Sequence, residues 1–162
     1  MKNNRKYDII LKIIVRGKNM KIRNMSISDY EQVFSLWSNT KGMGLRSLDD
    51  SKEGIERFLL RNPKTNFVGE KDGKIYGAVI SGHDGRRGYI YHMCVDNKIR
   101  NQGIGTQLLQ HCLQALKDEG IMKIALVVFA DNEIGNHFWE KHGFMLREDL
   151  YYRNISLILE NQ

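Results

Sequence analysis

The stretch VDNKIRNQGIGT, residues 95–106, decides how this chain folds. An apolar run typical of a strand, YIYHMCV at 89–95, leads into it. The segment GTQLLQHCLQALKDEG, at 105–120, follows it with the apolar spacing of an amphipathic helix. In a unit of strand, glycine turn and helix, the first N–H groups of the helix have no partner within the helix. Because glycine has no side chain, an anion can approach the backbone of the turn closely. Such a unit is typical of a site for an anion, above all a phosphate.

The glycine spacing disfavours two common nucleotide sites. The pattern is R-x-x-G-x-G from Arg100, and Leu108 stands where a dinucleotide-binding fingerprint has its third glycine. No Lys-Ser or Lys-Thr follows the second glycine, as a phosphate-binding P-loop requires. The alternative that remains open is an ordinary glycine turn that caps a helix.

The charge distribution disfavours a nucleic-acid partner. The chain has 162 residues and a net charge of +6. Residues 1–19 carry a net +5, so residues 20–162 carry only +1. A nucleic-acid-binding domain spreads its positive charge over a folded face. We therefore expect one near-neutral domain over 20–162 and a basic extension at 1–19, either poorly ordered or packed on an edge.

Composition favours a cytoplasmic protein. Ile9–Val15 resembles the core of a signal peptide, but Lys12 interrupts it and no small-residue cleavage site follows. No apolar run approaches the length of a membrane span. Cys94 and Cys112 lie in apolar patterns, which predicts buried free thiols in a reducing compartment. No Cys and His spacing suits zinc, so we expect no metal.

Periodicity predicts the element order βααβββ-αβ-αββ, an α/β domain with a mixed sheet. Ser28 is expected to cap the first helix, and Asp50 with Glu53 to form a capping box for the second. Asp72-Gly73 between apolar runs predicts a hairpin. The other expected strands are Lys21–Met25, Tyr89–Val95, a buried central strand at Ile121–Phe129, and a final pair at Phe144–Leu146 and Tyr151–Leu159.

Two motifs together resemble the GNAT superfamily of acyl-CoA-dependent N-acetyltransferases. One is R-x-x-G-x-G, and the other is DNEIGNHFWEKHGF at 131–144, similar to the family's N-x-x-A…F-Y-E-K-x-G-F pattern. The similarity covers about residues 20–160. It implies a mixed, mostly antiparallel sheet with helices on both faces. It also implies a V-shaped splay between the parallel strands Tyr89–Val95 and Ile121–Phe129, where acetyl-CoA lies.

The resemblance also implies which residues hold acetyl-CoA. Backbone groups near Cys94 and Val95 pair with the pantetheine arm, N–H groups of the glycine turn hold the pyrophosphate, and Asn132 bonds the pantetheine. Arg100 shapes the turn or meets a phosphate. Other roles stay open, because Arg100 suits a solvated surface, Asn132 suits a helix cap, and Phe138 and Trp139 suit the core. The expected cofactor residues are Cys94, Val95, Arg100, Gln102, Gly103, Ile104, Gly105, Thr106, Asn132 and Trp139.

The chain departs from the family at the expected acid and base. Many members place a tyrosine acid where this chain has Trp139, and indole is not a useful acid. Glutamate bases of two branches correspond to Tyr89 and Val127 here.

Three other residues are therefore candidates for catalysis. His92 is the candidate base, because a histidine changes its charge near neutral pH. Tyr91, expected on the opposite face of the same strand, could bind water. Tyr151 is a candidate acid, along with Tyr152, and at most one of these two should face the cleft.

The expected reaction is acetyl transfer to a primary amine of a small molecule or a peptide N-terminus, by direct attack in a ternary complex. Two loops could touch the acceptor: Gly42–Asp50, whose Arg46, Asp49 and Asp50 could select charge, and the charged loop Gly82–Gly88. Neither identifies the acceptor, and either a monomer or a homodimer is compatible with the sequence. The alternative is a protein that binds acyl-CoA with little or no turnover.

Overall fold

The computed structural model describes residues 20–161; the predicted basic extension at 1–19 and residue 162 lie outside the described residues. Four helices and five strands follow one another, with short 3₁₀ turns at Ile27–Asp29 and Asn97–Ile99. Their bounds are β1 Lys21–Asn24, α1 Tyr30–Ser38, α2 Lys52–Arg61, β2 Phe67–Lys71, β3 Lys74–His83, β4 Gly88–Val95, α3 Ile104–Asp118, β5 Ile124–Leu126 and α4 Glu133–Lys141.

The five strands form one mixed sheet in the order β1-β2-β3-β4-β5. The first three pairings are antiparallel, and β4 pairs with β5 in parallel. The predicted hairpin joins β2 to β3 through Asp72 (φ 51°) and Gly73 (φ 75°). Two successive positive φ angles match the twist of the flanking strands. The predicted fold class is confirmed.

Apolar cores lie on both faces of the sheet. Val33 and Trp37 of α1 and Ile55 of α2 are buried on one face. On the other face, α3 buries a stripe at helical spacing that includes Leu108, Cys112 and Leu116. Burying this stripe holds α3, and therefore the turn before it, in a fixed position against the sheet.

The parallel pair is short and opens into a wedge. β4 and β5 pair only from Gly88 to Ile90 on β4 and from Ile124 to Leu126 on β5. Beyond Ile90, the register of β4 against β3 shifts, since Ile80 faces His92 while Ser81 faces Ile90. Tyr91 is therefore the extra residue of a β-bulge, and bulges bend a strand. The predicted V-shaped splay thus begins at this bulge.

The C-terminal part of the chain does not form the predicted strands. Phe144–Leu146 and Tyr151–Leu159 have no strand pairing, and many of their apolar side chains are exposed. A strand needs a neighbouring edge, and here the end of the chain bonds instead to the loop before α2. The Ser47 hydroxyl donates to the Glu160 carbonyl, and the Asn161 amide oxygen accepts from the N–H groups of Leu48 and Asp49.

The predicted strand Ile121–Phe129 is also shorter than expected. Only Ile124–Leu126 is paired, and β5 stands at the end of the sheet order. Because no strand pairs with its outer edge among residues 20–161, Val127 and Phe129 are about half exposed. The apolar run at 121–129 therefore does not mark a buried central strand.

Two predicted helix caps are wrong. Asp29, not Ser28, is the N-cap residue of α1, and Ser26 forms a capping box with Asp29 ahead of the 3₁₀ turn. Ser51, not Asp50, caps α2, since its hydroxyl accepts from the N–H of Gly54 at 3.1 Å. Both errors are shifts of one residue among neighbouring polar side chains.

Cys94 and Cys112 are both free and buried, which confirms that prediction. Burial raises the pKa of the Cys94 thiol to about 12 and that of Cys112 to about 11. Both sulfurs are therefore protonated near neutral pH. No helix within residues 20–161 has the length and apolar character needed to cross a membrane.

Candidate functional site

The turn before α3 has the backbone geometry that glycine permits. Gly103, the N-cap residue, has φ 81°, and Asn101 has φ 63°. A side chain at Gly103 would be strained, and a Cβ there would enter open space, since the nearest atom is Gln107 Nε2 at 4.0 Å. The helical ladder starts with the Gln107 N–H donating to the Gly103 carbonyl at 3.0 Å. The N–H groups of Ile104–Thr106 precede this ladder and face outward at the positive end of the helix.

Gly105 has a different role from Gly103. A Cβ on Gly105 would lie 3.3 Å from the Phe138 ring, which belongs to α4. The second glycine therefore lets α3 and α4 approach closely. Thr106 reaches the same helix, with its hydroxyl 3.1 Å from His142 Nε2.

Arg100 folds back toward the sheet. Its Nε donates to the Val95 carbonyl, the last carbonyl of β4, at 3.1 Å. The side chain therefore ties the end of β4 to the glycine turn. This bond agrees with a role for Arg100 in shaping the turn, one of the three roles that the sequence left open.

Asn132 lies at the start of α4, on the other side of the wedge. Its side-chain oxygen accepts from the N–H of Gly135 at 2.9 Å, so it is the N-cap. The loop between α1 and α2 approaches it closely, because a Cβ on Gly42 would lie 3.1 Å from Asn132 Nδ2. A Cβ on Gly44 would lie 3.1 Å from the Phe129 ring. This loop therefore covers the wedge from the face that bears α1 and α2.

Trp139 packs mainly in the core between α4 and the sheet. Its ring makes edge-to-face contacts with Phe138 and Phe144, both at 5.1 Å between centroids. The side chain is partly buried. The core role that the sequence left open for Trp139 is the one that these contacts support.

His92 pairs with a residue that the sequence did not single out for catalysis. His92 Nε2 lies 2.7 Å from Asp50 Oδ1, and both side chains are largely buried. The other carboxylate oxygen of Asp50 accepts the Arg46 N–H at 2.6 Å, and the Asp50 carbonyl accepts the Tyr30 hydroxyl at 2.8 Å. Contacts with Arg46, Tyr30 and His92 thus hold Asp50 in place, and Asp50 in turn orients the imidazole.

The second ring nitrogen of His92 has no protein partner within residues 20–161. His92 Nδ1 is buried, as is the similarly unpartnered Nε1 of Trp37, and the two rings lie 5.0 Å apart. In the neutral imidazole that donates Nε2–H to the Asp50 carboxylate, Nδ1 is the nitrogen left to accept a hydrogen. In this form the pair has one free acceptor atom.

Strand alternation predicted that Tyr91 and His92 lie on opposite faces of the sheet. The structure puts both side chains on the same face. The bulge breaks the alternation, and the Tyr91 ring contacts Phe58 of α2 at 5.3 Å and Tyr89 at 4.9 Å. His92 contacts Trp37 of α1, so both side chains lie on the face that α1 and α2 cover. Register shifts of this kind cannot be derived from a two-residue period.

Tyr151 and Tyr152 lie outside the sheet. Tyr151 is 90% exposed, and Tyr152 is 68% exposed. Burial raises the pKa of Tyr89, and the nearby Tyr152 and Tyr91 hydroxyls raise it further. Of the two tail tyrosines, Tyr152 is therefore the one close to the residues of β4.

The pairing of Asp50 with His92 could not be predicted because the two residues are 42 positions apart. The local signals at Asp50 were its position before α2, which suggested a helix cap, and its place in a loop that could touch the acceptor. No group of three or more side chains suited to a metal ion lies within residues 20–161.

The geometry combines a wedge between parallel strands with a glycine turn at a helix N-terminus. A comparison of the sequence with protein families agrees with this geometry. The model of the acetyltransferase (GNAT) family matches residues 30–144. This chain belongs to the GNAT acetyltransferase family. The match contains the glycine turn and the wedge as well as the loops Gly42–Asp50 and Gly82–Gly88.

Curated GNAT-like relatives are of similar length. An acetyltransferase of Sodalis glossinidius is 30% identical over 143 residues, or 88% of this chain and 99% of the relative. An acetyltransferase of Pectobacterium atrosepticum is 35% identical over 122 residues, or 75% of this chain and 85% of the relative.

Solved structures share the fold of this GNAT chain. An aminoglycoside acetyltransferase from an uncultured soil sample, in complex with sisomicin, has a TM-score of 0.70 at 20% identity and covers 87% of this chain and 98% of its own. The PaiA N-acetyltransferase of Thermoplasma acidophilum, in complex with coenzyme A, has a TM-score of 0.69 at 19% identity, with 88% and 94% covered.

Proposed function

We propose that the protein transfers an acetyl group from acetyl-CoA to a primary amine of a small molecule or a peptide N-terminus. The observation that carries the proposal is the glycine turn at the start of α3, next to a wedge that opens at the bulge of β4. An anionic cofactor with a long, narrow arm suits these two features together. The family match and the fold shared with a coenzyme A complex support the same choice.

The residues around the wedge fit acetyl-CoA. The N–H groups from Gln102 to Thr106 would hold the pyrophosphate at the positive end of α3. Backbone groups of Cys94 and Val95 would pair with the pantetheine as a further strand does. The Asn132 amide Nδ2 would donate to the pantetheine while its oxygen keeps the helix cap.

Direct attack suits the chemistry of the site. In this reaction the amine nitrogen bonds to the thioester carbon, the C–S bond breaks, and the amine loses a proton while the thiolate gains one. An acyl-enzyme route needs a thiolate, and both cysteines of the chain are buried and protonated near neutral pH. Positioning and an oxyanion donor, a strand N–H near Val95, would supply much of the rate.

The proton of the amine would pass to His92. Asp50 holds Nε2 at 2.7 Å and leaves Nδ1 as the accepting nitrogen. Since Nδ1 is buried, a water molecule would carry the proton to it when an acceptor displaces the loop between α1 and α2. Asp50 is a positioning residue in this scheme. Tyr91 or Tyr152, both near Tyr89, would supply the proton to the thiolate more readily than Tyr151.

Release of free thiol from acetyl-CoA, with a panel of amines and peptides, tests the proposal. We expect turnover with at least one amine. Tight binding of acetyl-CoA without turnover on any acceptor would favour the alternative, a protein that only binds acyl-CoA.

His92→Ala tests the base. It should lower kcat by about tenfold or more with an unchanged Kd for CoA, because a general base contributes roughly 100-fold or more. His111→Ala, on the exposed surface of α3, is the matched control. Equal activity in His92→Ala would remove His92 from the mechanism, and Asp50→Asn should lower kcat with an unchanged KM for acetyl-CoA.

A further inference from the structure

His142 connects α4 to the first turn of α3. It is the C-cap residue of α4, and its ring Nδ1 lies 2.8 Å from the Phe138 carbonyl. Its Nε2 lies 3.1 Å from the hydroxyl of Thr106. The imidazole is partly buried, and its centroid lies 4.2 Å from that of the Phe138 ring. Both ring nitrogens therefore have a fixed partner.

The partner of Nδ1 decides the direction of the hydrogen bond at Nε2. A carbonyl oxygen only accepts, so Nδ1 carries a hydrogen and donates it to Phe138. In the neutral imidazole, Nε2 then has no hydrogen and accepts one from the Thr106 hydroxyl. In the positive imidazolium, Nε2 also carries a hydrogen, and Thr106 Oγ1 becomes the acceptor. The charge of His142 therefore decides whether the Thr106 hydroxyl hydrogen is free for another partner.

The Thr106 hydroxyl lies near the positive end of α3. Thr106 follows the N-cap residue Gly103 by three positions, and side chains in a helix lean toward its N-terminus. The hydroxyl is therefore on the side of the N–H groups that are proposed to hold the pyrophosphate. A hydroxyl that donates to Nε2 presents only lone pairs to an anion, whereas a released hydroxyl can donate to it.

The charged groups around His142 leave its own charge free to change. No ion pair within the described part of the chain involves His142. The first turn of α3 has no acidic side chain, and the flanking charged residues of α4, Glu140 and Lys141, are exposed. Arg100 is bonded to the end of β4 instead. A positive imidazole here meets the Phe138 ring and the carbonyl end of α4, and both attract a cation.

We propose that His142 is positive when the protein holds CoA, so that Nε2–H donates to Thr106 Oγ1 and the Thr106 hydroxyl donates to the pyrophosphate. This inference rests on the proposed acetyl-CoA site. His142 is a positioning residue, because it acts through Thr106. A molecule with neutral His142 takes up one proton from the solvent on Nε2 as it binds CoA. By linkage, the affinity for CoA then rises as the pH falls through the range in which imidazole titrates.

Isothermal titration with dephospho-CoA measures both the affinity and the proton uptake. This ligand keeps the pyrophosphate and lacks the 3′-phosphate, whose own titration would overlap with that of imidazole. Titrations near neutral pH, in two buffers of different ionisation enthalpy, should show net proton uptake by the parent protein. The Kd should rise by about fivefold between about pH 6 and about pH 8, the effect of one hydrogen bond.

Two variants assign the pH dependence to this pair of residues. His142→Leu should take up no proton and should have a nearly constant Kd over the same pH range. Thr106→Val has nearly the same size as the parent residue and should behave in the same way, because it lacks the hydroxyl through which His142 acts. His137→Leu removes an exposed histidine of the same helix and should keep the pH dependence of the parent protein.

A parent Kd that is constant over this pH range, without proton uptake, would overturn this inference and leave the proposed function standing. So would a pH dependence that Thr106→Val keeps, because His142 would then attract the pyrophosphate by its charge alone. Thr106→Val also decides the matter if His142→Leu does not fold. If the parent protein binds neither CoA nor dephospho-CoA at any pH, the proposed function fails, and this inference fails with it.

Discussion

The two sides of the wedge are built in different ways. The side proposed to bind the cofactor comes from a short run of sequence, β4 followed by the glycine turn and α3, and one helix turn fixes its N–H groups. The side proposed to bind the acceptor comes from distant segments: Asp50 and His92 are 42 residues apart, and Ser47 and Glu160 are 113 residues apart. A local site can be changed by one substitution within it, whereas an assembled site also responds to changes far away.

The strongest test of the local side is Gly103→Val. The Kd for CoA should rise at least tenfold, because a β-branched residue is strained at φ 81° and its side chain would enter the space that the anion needs. Isothermal titration with CoA measures this change. Gly73→Val at φ 75° is the control, since it brings similar strain at a remote turn. Unchanged affinity in a folded Gly103→Val variant would remove the turn from the cofactor site.

Two substitutions at Asn132 separate its role as a helix cap from its proposed role in binding CoA. Asn132→Ala should lower the free energy of unfolding by about 1 kcal/mol, because α4 loses its cap. Asn132→Asp keeps an accepting oxygen and loses the donor, so it should keep the stability. Both variants should raise the Kd for CoA by about fivefold, the cost of one hydrogen bond.

Urea unfolding and titration with CoA measure the two effects. If Asn132→Asp binds CoA like the parent protein, Asn132 is a helix cap alone.

Gly42→Ala tests whether the loop between α1 and α2 positions Asn132. The new Cβ would lie 3.1 Å from Asn132 Nδ2, so the amide must shift, and we expect about a threefold loss in kcat/KM for acetyl-CoA. Gly85→Ala has nearly the same φ, 88°, but no atom within 4 Å of its Cβ, so it controls for backbone strain. Equal losses in both variants would exclude a contact between this loop and the cofactor residues.

The smallest effect is expected from the end of the chain. Asn161→Ala removes the bonds to Leu48, Asp49 and the Asp49 carboxylate. Because the loop before α2 becomes looser, the KM for the amine should rise by about twofold while the Kd for CoA stays the same. A change in CoA affinity alone would show that the two sides of the wedge are coupled.

The cofactor side could be predicted because its signals are local. Gly103 with its positive φ, the apolar stripe of α3 and the Asp72-Gly73 turn each depend on a few neighbouring residues. The family motifs at Arg100–Gly105 and 131–144 lie in the same segments. These signals predicted the hairpin of β2 and β3 and the unit of β4, glycine turn and α3, and the family resemblance implied the splay between Tyr89–Val95 and Ile121–Phe129.

The acceptor side could not be predicted because it depends on register and on long-range contacts. The bulge at Tyr91 reverses the expected face of a side chain, and nothing in the residues of β4 reveals it. The sequence predicted Asp50 as a helix cap or as a charged residue facing the acceptor, and its contact with His92 appears only in the structure. The tail has strand-like apolar residues, but a strand forms only where an edge is available, and residues 144–159 do not pair with β5.

A crystal structure of the protein with bound CoA tests the central claim most directly. The account predicts pyrophosphate oxygens about 3 Å from the N–H groups of Ile104–Thr106, with the pantetheine arm in the wedge between β4 and β5. A pyrophosphate bound away from the start of α3, or an arm that lies outside the wedge, would contradict it.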